Sequence, residues 1–121
     1  MDSDNEDAQA NYTRDILIAT FSNEHVDGFY MWGFWDGIHW LGNAPVYKKD
    51  WTLKKSGEQF IDLVYNKWWT EESGKTNENG EFKTRGFFGD YDITVTYNGI
   101  SKTISTSCYK GDNNIITVTL D

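Results

Sequence analysis

The sequence holds one cysteine, Cys108, one proline, Pro45, and two histidines, His25 and His39. A lone cysteine excludes an intrachain disulfide. A nucleophilic role for Cys108 needs an imidazole and an Asn or Asp beside it. Two histidines in the whole chain leave little for that, so Cys108 reads as a packing residue of a strand. Basic residues are in the minority, 11 Lys and Arg against 19 Asp and Glu, for a net charge of −8. Nucleic acids and anionic membranes require clustered Lys and Arg, so neither is expected as a partner. Neutral sugars are compatible with this charge. No apolar run approaches the ~20 residues of a membrane span. No charged segment followed by an apolar one marks a signal peptide. The compartment is not fixed by the sequence. No cofactor or metal is expected either. Asp2, Asp4, Glu6 and Asp7 are dense enough for calcium, yet no Gly-bearing loop with a distal Glu follows at the spacing of an EF-hand. They read as a solvated tail or helix start.

What the chain has in quantity is aromatic residues: six Trp, seven Tyr and seven Phe. Trp and Tyr fill cores, and they also stack on apolar ligand faces. Their distribution follows the predicted elements. Tyr12, Ile16 and Ala19 share one face of a helix expected over 10–23, with Leu17 and Phe21 widening it. The apolar run 26–32 has the length of a strand buried on both faces, as in a parallel sheet covered by helices. A Gly-, Asn- and Trp-rich connection follows over 33–51, long enough to expect function in it. A second helix is expected from Thr52 or Leu53, with Thr52 as N-cap and Phe60, Ile61, Val64, Tyr65 and Trp68 as its stripe. Gly57 inside it marks close packing.

After Trp69 the helical period stops. Asn79-Gly80 and Asn98-Gly99 are signals for type I′ hairpin turns, and 111–114 makes a third turn. Strands are expected near 70–76, 81–87, 91–97, 100–107 and 115–120, a small antiparallel β-sandwich. The chain is therefore α+β in two units, a helix–strand–helix unit over 1–67 and a β-sandwich over 68–121.

The segment Val26-Asp27-Gly28-Phe29-Tyr30-Met31-Trp32-Gly33-Phe34-Trp35-Asp36 resembles the eighth barrel strand of glycoside hydrolase family ten, the endo-β-1,4-xylanases. There the strand ends in Trp-Gly, an Asp follows, and a second Trp comes eight positions after the first. Trp32, Asp36 and Trp40 match. Residues 12–19 resemble the helix before that strand, and 53–60, with its glycine, the helix after it. The stretches 69–76 and 80–91, with Gly86-Phe87-Phe88-Gly89-Asp90-Tyr91, are similar to the tail of plant-type and related bacterial members. The resemblance implies that 1–67 is a remnant of a TIM (β/α)8 barrel and that the parent protein cleaves β-1,4-xylan with retention. It also implies a secreted parent. The family's two catalytic glutamates sit on earlier strands, so this chain carries no catalytic residue and is expected to be inactive alone.

Its expected partner is xylan or a xylo-oligosaccharide, with Trp32 and Trp40 packed over the sugar and Asp36 supporting the polar network. Trp35 and His39 are further substrate-binding candidates. For His39 a solvated loop position is the competing reading. Glu24 and Asp27 lie at the wrong end of the strand to pair catalytically with Asp36. Trp68 and Trp69 read as junction residues. The rest of the barrel is a second expected partner, and self-association through the bared strand a third. Two other roles stay open on the residues alone. One is a non-catalytic carbohydrate-binding module using Phe87, Phe88 and Tyr91. The other is a structural domain in which Phe87 and Phe88 are core or interface.

Overall fold

The computed structural model describes residues 5–120. The chain divides into two compact units, Met1–Trp69 and Thr70–Asp121. Its architecture is α+β: helices in the first unit and a two-stranded antiparallel sheet in the second.

Helix α1 runs Glu6–Phe21. It starts four residues before the expected point because Asn5 caps it, its Oδ1 accepting the N–H of Asp7 and of Ala8, both at 3.1 Å. Glu6 and Asp7 then lie in the first turn, where the helix dipole favours negative charge. Residues 1–4, with Asp2 and Asp4, lie outside the described residues. The buried positions of α1 are Gln9, Ala10 and Leu17. The expected stripe is off: Tyr12 and Ala19 are exposed and Ile16 is half-buried. The reason is Gln9, a polar residue that apolar periodicity ignores. Its Nε2 donates to the carbonyls of Asn43 (2.7 Å) and Ala44 (3.0 Å), and its Oε1 accepts from Ser56 Oγ. Satisfied in this way, the amide can be buried at little cost.

The strand expected over 26–32 is not formed. Val26, Phe29, Tyr30, Met31 and Trp32 are all exposed. A buried parallel strand draws its hydrogen bonds from neighbours on both sides. Among the described residues none lies beside it, so the apolar run stays irregular.

Helix α2 spans Lys55–Ile61 and packs on α1. Thr52 is not its N-cap. Lys54 holds that place without a side-chain cap, while the Thr52 amide donates to Asp50 Oδ1. Gly57 is buried against Leu53 and Val46, and a Cβ there would clash with Leu53 and lie 3.2 Å from Val46 Cβ. The chain continues as a π-helical segment, Asp62–Lys67. The wider i→i+5 turn shifts the side chains away from a 3.6-residue stripe. Leu63 is thereby buried, whereas Ile61 and Tyr65 are exposed. Trp68 stacks on Phe21 of α1 at 4.1 Å.

In the second unit β1 (Gly89–Tyr97) pairs antiparallel with β2 (Ile100–Cys108), in a register running from Gly89 opposite Cys108 to Tyr97 opposite Ile100. Asn98 and Gly99 both have positive φ, 49° and 81°, as a type I′ turn demands. One face is a hydrogen-bonded polar ladder: Asp90–Ser107, Asp92–Ser105, Thr94–Thr103 and Thr96–Ser101 at 2.6–2.8 Å. The opposite face, with Tyr91, Ile93, Val95, Lys102, Ile104 and Thr106, is half-buried. The Tyr91 hydroxyl donates to the Phe87 carbonyl four residues upstream.

Of the five expected strands only 91–97 and 100–107 pair as a ladder among the described residues. Residues 70–76 contain no apolar side chain to bury. Phe82, in the next expected strand, packs over Gly74 instead. In 115–120, Ile116, Val118 and Leu120 keep an alternating half-burial without strand pairing. Asn79-Gly80 does turn the chain, but not as type I′. The Gly80 amide donates to the Asn77 carbonyl, and only Gly80 of the pair has positive φ, 76°.

Candidate functional site

The connection 33–54 is irregular but strung together by hydrogen bonds. The Asp36 amide donates to the Tyr47 carbonyl (3.0 Å), the Tyr47 amide to Phe34 (2.9 Å) and the Lys54 amide to Val46 (2.8 Å). Beneath this mesh sits one ion pair. Lys54 Nζ lies 2.8 Å from each carboxylate oxygen of Asp36 and donates a third bond to the Asn43 carbonyl at 3.0 Å. Asp36 is 8% exposed and Lys54 4%. All three ammonium protons are spent, which is what a buried charge pair requires. Gln9 of α1 binds the same Asn43 carbonyl, so helix, loop and ion pair form one network. Asp36 therefore anchors the loop from behind. Both of its oxygens face Lys54.

His39 is a strut. With its proton on Nε2, the ring donates to the Trp32 carbonyl at 2.7 Å, and Nδ1 accepts from the Leu41 amide at 3.1 Å. Both nitrogens contact loop backbone, and the ring is half-buried. Trp35 lies over Gly37, where any Cβ would clash with its ring. Its Nε1 donates to the Lys49 carbonyl at 3.2 Å.

On this scaffold Trp32 is 86% exposed, Ile38 86% and Trp40 77%. Trp32, Phe34, Trp35, Ile38, His39 and Trp40 line one concavity of ≈ 360 Å³. Four of the five expected binding residues thus meet at one surface, and the fifth, Asp36, is behind it. Glu24 and Asp27 are exposed. The wall is apolar and aromatic, with few groups to drive a reaction. It suits stacking on a ligand face.

Two ion pairs brace the surroundings. Lys48 pairs with Glu6 at 2.6 Å and Lys55 with Asp7 at 2.5 Å. The hydrogen bond from Lys48 holds the Glu6 carboxyl below its usual range, and Glu6 raises Lys48 in return. The Asp7 hydrogen bond raises Lys55. The Thr52 amide lowers Asp50.

Sequence reasoning missed three residues here: Lys54, Gln9 and Trp51. Trp51 stacks on Trp35, centroids 5.1 Å apart.

No family model matches the chain. It is distantly similar to endo-1,4-β-xylanases of Arabidopsis thaliana. It is 25% identical to endo-1,4-β-xylanase 1 over 117 residues, 97% of this chain and 12% of that protein. It is 28% identical to endo-1,4-β-xylanase 3 over 80 residues, 66% of this chain and 10% of that protein. A higher identity, 40% over 95 residues, relates 78% of the chain to 12% of the anti-sigma-I factor RsgI6 of Acetivibrio thermocellus. The chain spans about a tenth to an eighth of the length of these relatives.

Proposed function

We propose that the chain is the carboxyl-terminal part of an endo-1,4-β-xylanase-type protein and supplies one sugar-stacking wall of its xylan-binding cleft. The observation that carries this is the exposed Trp32–Ile38–Trp40 surface, held by a buried ion pair and a histidine strut instead of being folded into a core. A protein normally buries such side chains, so an exposed and braced set of them calls for a ligand. The xylanase similarity supports xylan as that ligand. In this reading residues 1–67 are the last helix–strand–helix of a TIM barrel, and 26–32 regains strand form beside the barrel's other strands. Until then its exposed apolar side chains favour self-association, which sedimentation at rising concentration measures. Residues 68–121 are a small sandwich-type domain. The Tyr91–Phe87 bond supports this, since a tyrosine hydroxyl bonded to backbone a few residues upstream is a corner device of such domains.

The chain alone is inactive in this account, because the acid/base and the nucleophile belong to earlier strands. The test is twofold. The full chain should be depleted from solution by insoluble xylan, while the W32A/W40A double variant should not. Neither should release reducing sugar. Equal retention of both proteins would remove the wall from the account, and turnover by the chain would remove its inactivity.

A second reading is favoured by one observation, the 40% identity to a protein named as an anti-sigma factor. In that reading the segment binds sugar within a protein whose named role is regulatory. The two readings share the wall and separate on whether the complete parent protein hydrolyses xylan.

A further inference from the structure

We propose that Trp51 is a second sugar platform, extending the Trp32–Trp40 wall so that a longer β-1,4-linked xylose chain is held on more than one ring. This rests on the saccharide reading above and adds a residue to which neither the resemblance nor the relatives assign a role.

Three observations carry it. Trp51 has φ 67°, a left-handed conformation that is a marked outlier for a bulky side chain. The loop over-determines it: the Trp51 amide donates to the Lys48 carbonyl, the Lys48 amide to the Thr52 carbonyl, and Asp50 Oδ1 takes the Thr52 amide. Strain of this kind persists where the surroundings enforce it, and it concentrates at ligand sites. Second, the strain does not serve to bury the indole, which is 57% exposed. Third, Trp51 is set flat. It stacks on Trp35 with 12° between planes, and Phe34 and Tyr47 flank it at 6.2 and 6.1 Å. One face is thus used up in orienting the ring. Phe34 and Trp35 also line the Trp32–Trp40 concavity, so these two rings link it to Trp51.

The occupant follows from chemistry. A flat indole face suits a flat ligand with apolar C–H on its face, as in a pyranose with equatorial substituents. A net charge of −8 disfavours a polyanion. A linear neutral polysaccharide offers the same ring again at each step, so two platforms on one surface gain by joint occupancy.

The test uses the full chain labelled at its indole nitrogens, titrated with xylobiose and xylohexaose and followed by NMR. Xylohexaose should shift the Trp51 signal together with those of Trp32 and Trp40, and xylobiose should bind more weakly. Trp51→Asn removes the platform while keeping a residue that accepts left-handed φ. It should weaken xylohexaose about three- to tenfold and leave xylobiose nearly unchanged. Trp51→Phe, which keeps a ring, should restore part of the loss. If Trp32 and Trp40 respond while Trp51 stays silent, the inference fails and the sugar wall stands. If no indole responds to either sugar, the proposed function fails and takes the inference with it.

Discussion

Replacing Lys54 by Met is the sharpest probe of how the loop is held. The substitution keeps an unbranched side chain, one heavy atom shorter, and removes its charge. Asp36 then stays buried with both oxygens deprived of their 2.8 Å partner, and the Asn43 carbonyl loses its 3.0 Å bond. Removing one member of a buried ion pair costs about 3–5 kcal/mol, because the remaining charge is uncompensated. Against a total domain stability of about 5–15 kcal/mol that is a large share. With a urea slope of about 2 kcal/mol/M, the unfolding midpoint should fall by about 1.5–2.5 M. Tryptophan fluorescence reports on it directly, since Trp35 stacks within the loop that Asp36 anchors. The double variant D36L/K54M removes both charges and should recover most of the loss, because well-packed apolar pairs replace buried ion pairs at little cost. The reasoning is refuted if Lys54→Met unfolds at the wild-type urea concentration, or if the double variant is as weak as the single one.

Gly57→Ala should destabilise the first unit by about 1 kcal/mol or more despite alanine's better helix propensity, since the new Cβ meets Leu53 and crowds Val46; urea unfolding measures it. Gly99→Ala should cost about 1–2 kcal/mol at the β1–β2 turn, seen as faster amide exchange in both strands, because Gly99 sits at φ 81°. Acid should loosen the first unit. Glu6 and Asp50 are held below their usual carboxylate range, so their stabilising effect is complete above that range and is lost as pH falls through the lowered values. The raised Lys48 and Lys55 act in the opposite direction, contributing below the usual lysine range and losing it as pH climbs through the raised values. The effects of the Glu6–Lys48 and Asp7–Lys55 pairs should shrink in high salt, since these pairs are at the surface, while that of Asp50, held first by the Thr52 amide, should persist; thermal melts across pH at two salt concentrations decide this.

What could be read from the residues, and what could not, divides along physical lines. The Asn98-Gly99 hairpin was legible because a type I′ turn is set by two adjacent residues. Gly57 was legible because a glycine within a helical pattern has few reasons to be there other than close approach. The exposed Trp32 and Trp40 came from the resemblance, not from periodicity. The strand over 26–32 was misread because its apolar run specifies burial, while strand form needs neighbours that the described residues do not supply. The π-helical segment shifted a stripe computed at 3.6 residues per turn. Asp36 and Lys54 look, 18 positions apart, like any two solvated charges, and only the fold reveals them as a pair. Gln9 was invisible for the same reason. Nothing in Lys49-Asp50-Trp51-Thr52 announces a tryptophan in left-handed conformation, since that geometry is imposed by the loop's hydrogen bonds.

In the proposed function the aromatic wall binds a neutral xylose chain. Calorimetric titration of the full chain with xylohexaose tests it most directly, set against the W32A/W40A double variant. The chain should bind saturably, the double variant should not, and both should unfold at the same urea midpoint, since Trp32 and Trp40 are exposed. Absence of binding at millimolar sugar, or equal binding by the double variant, would contradict it.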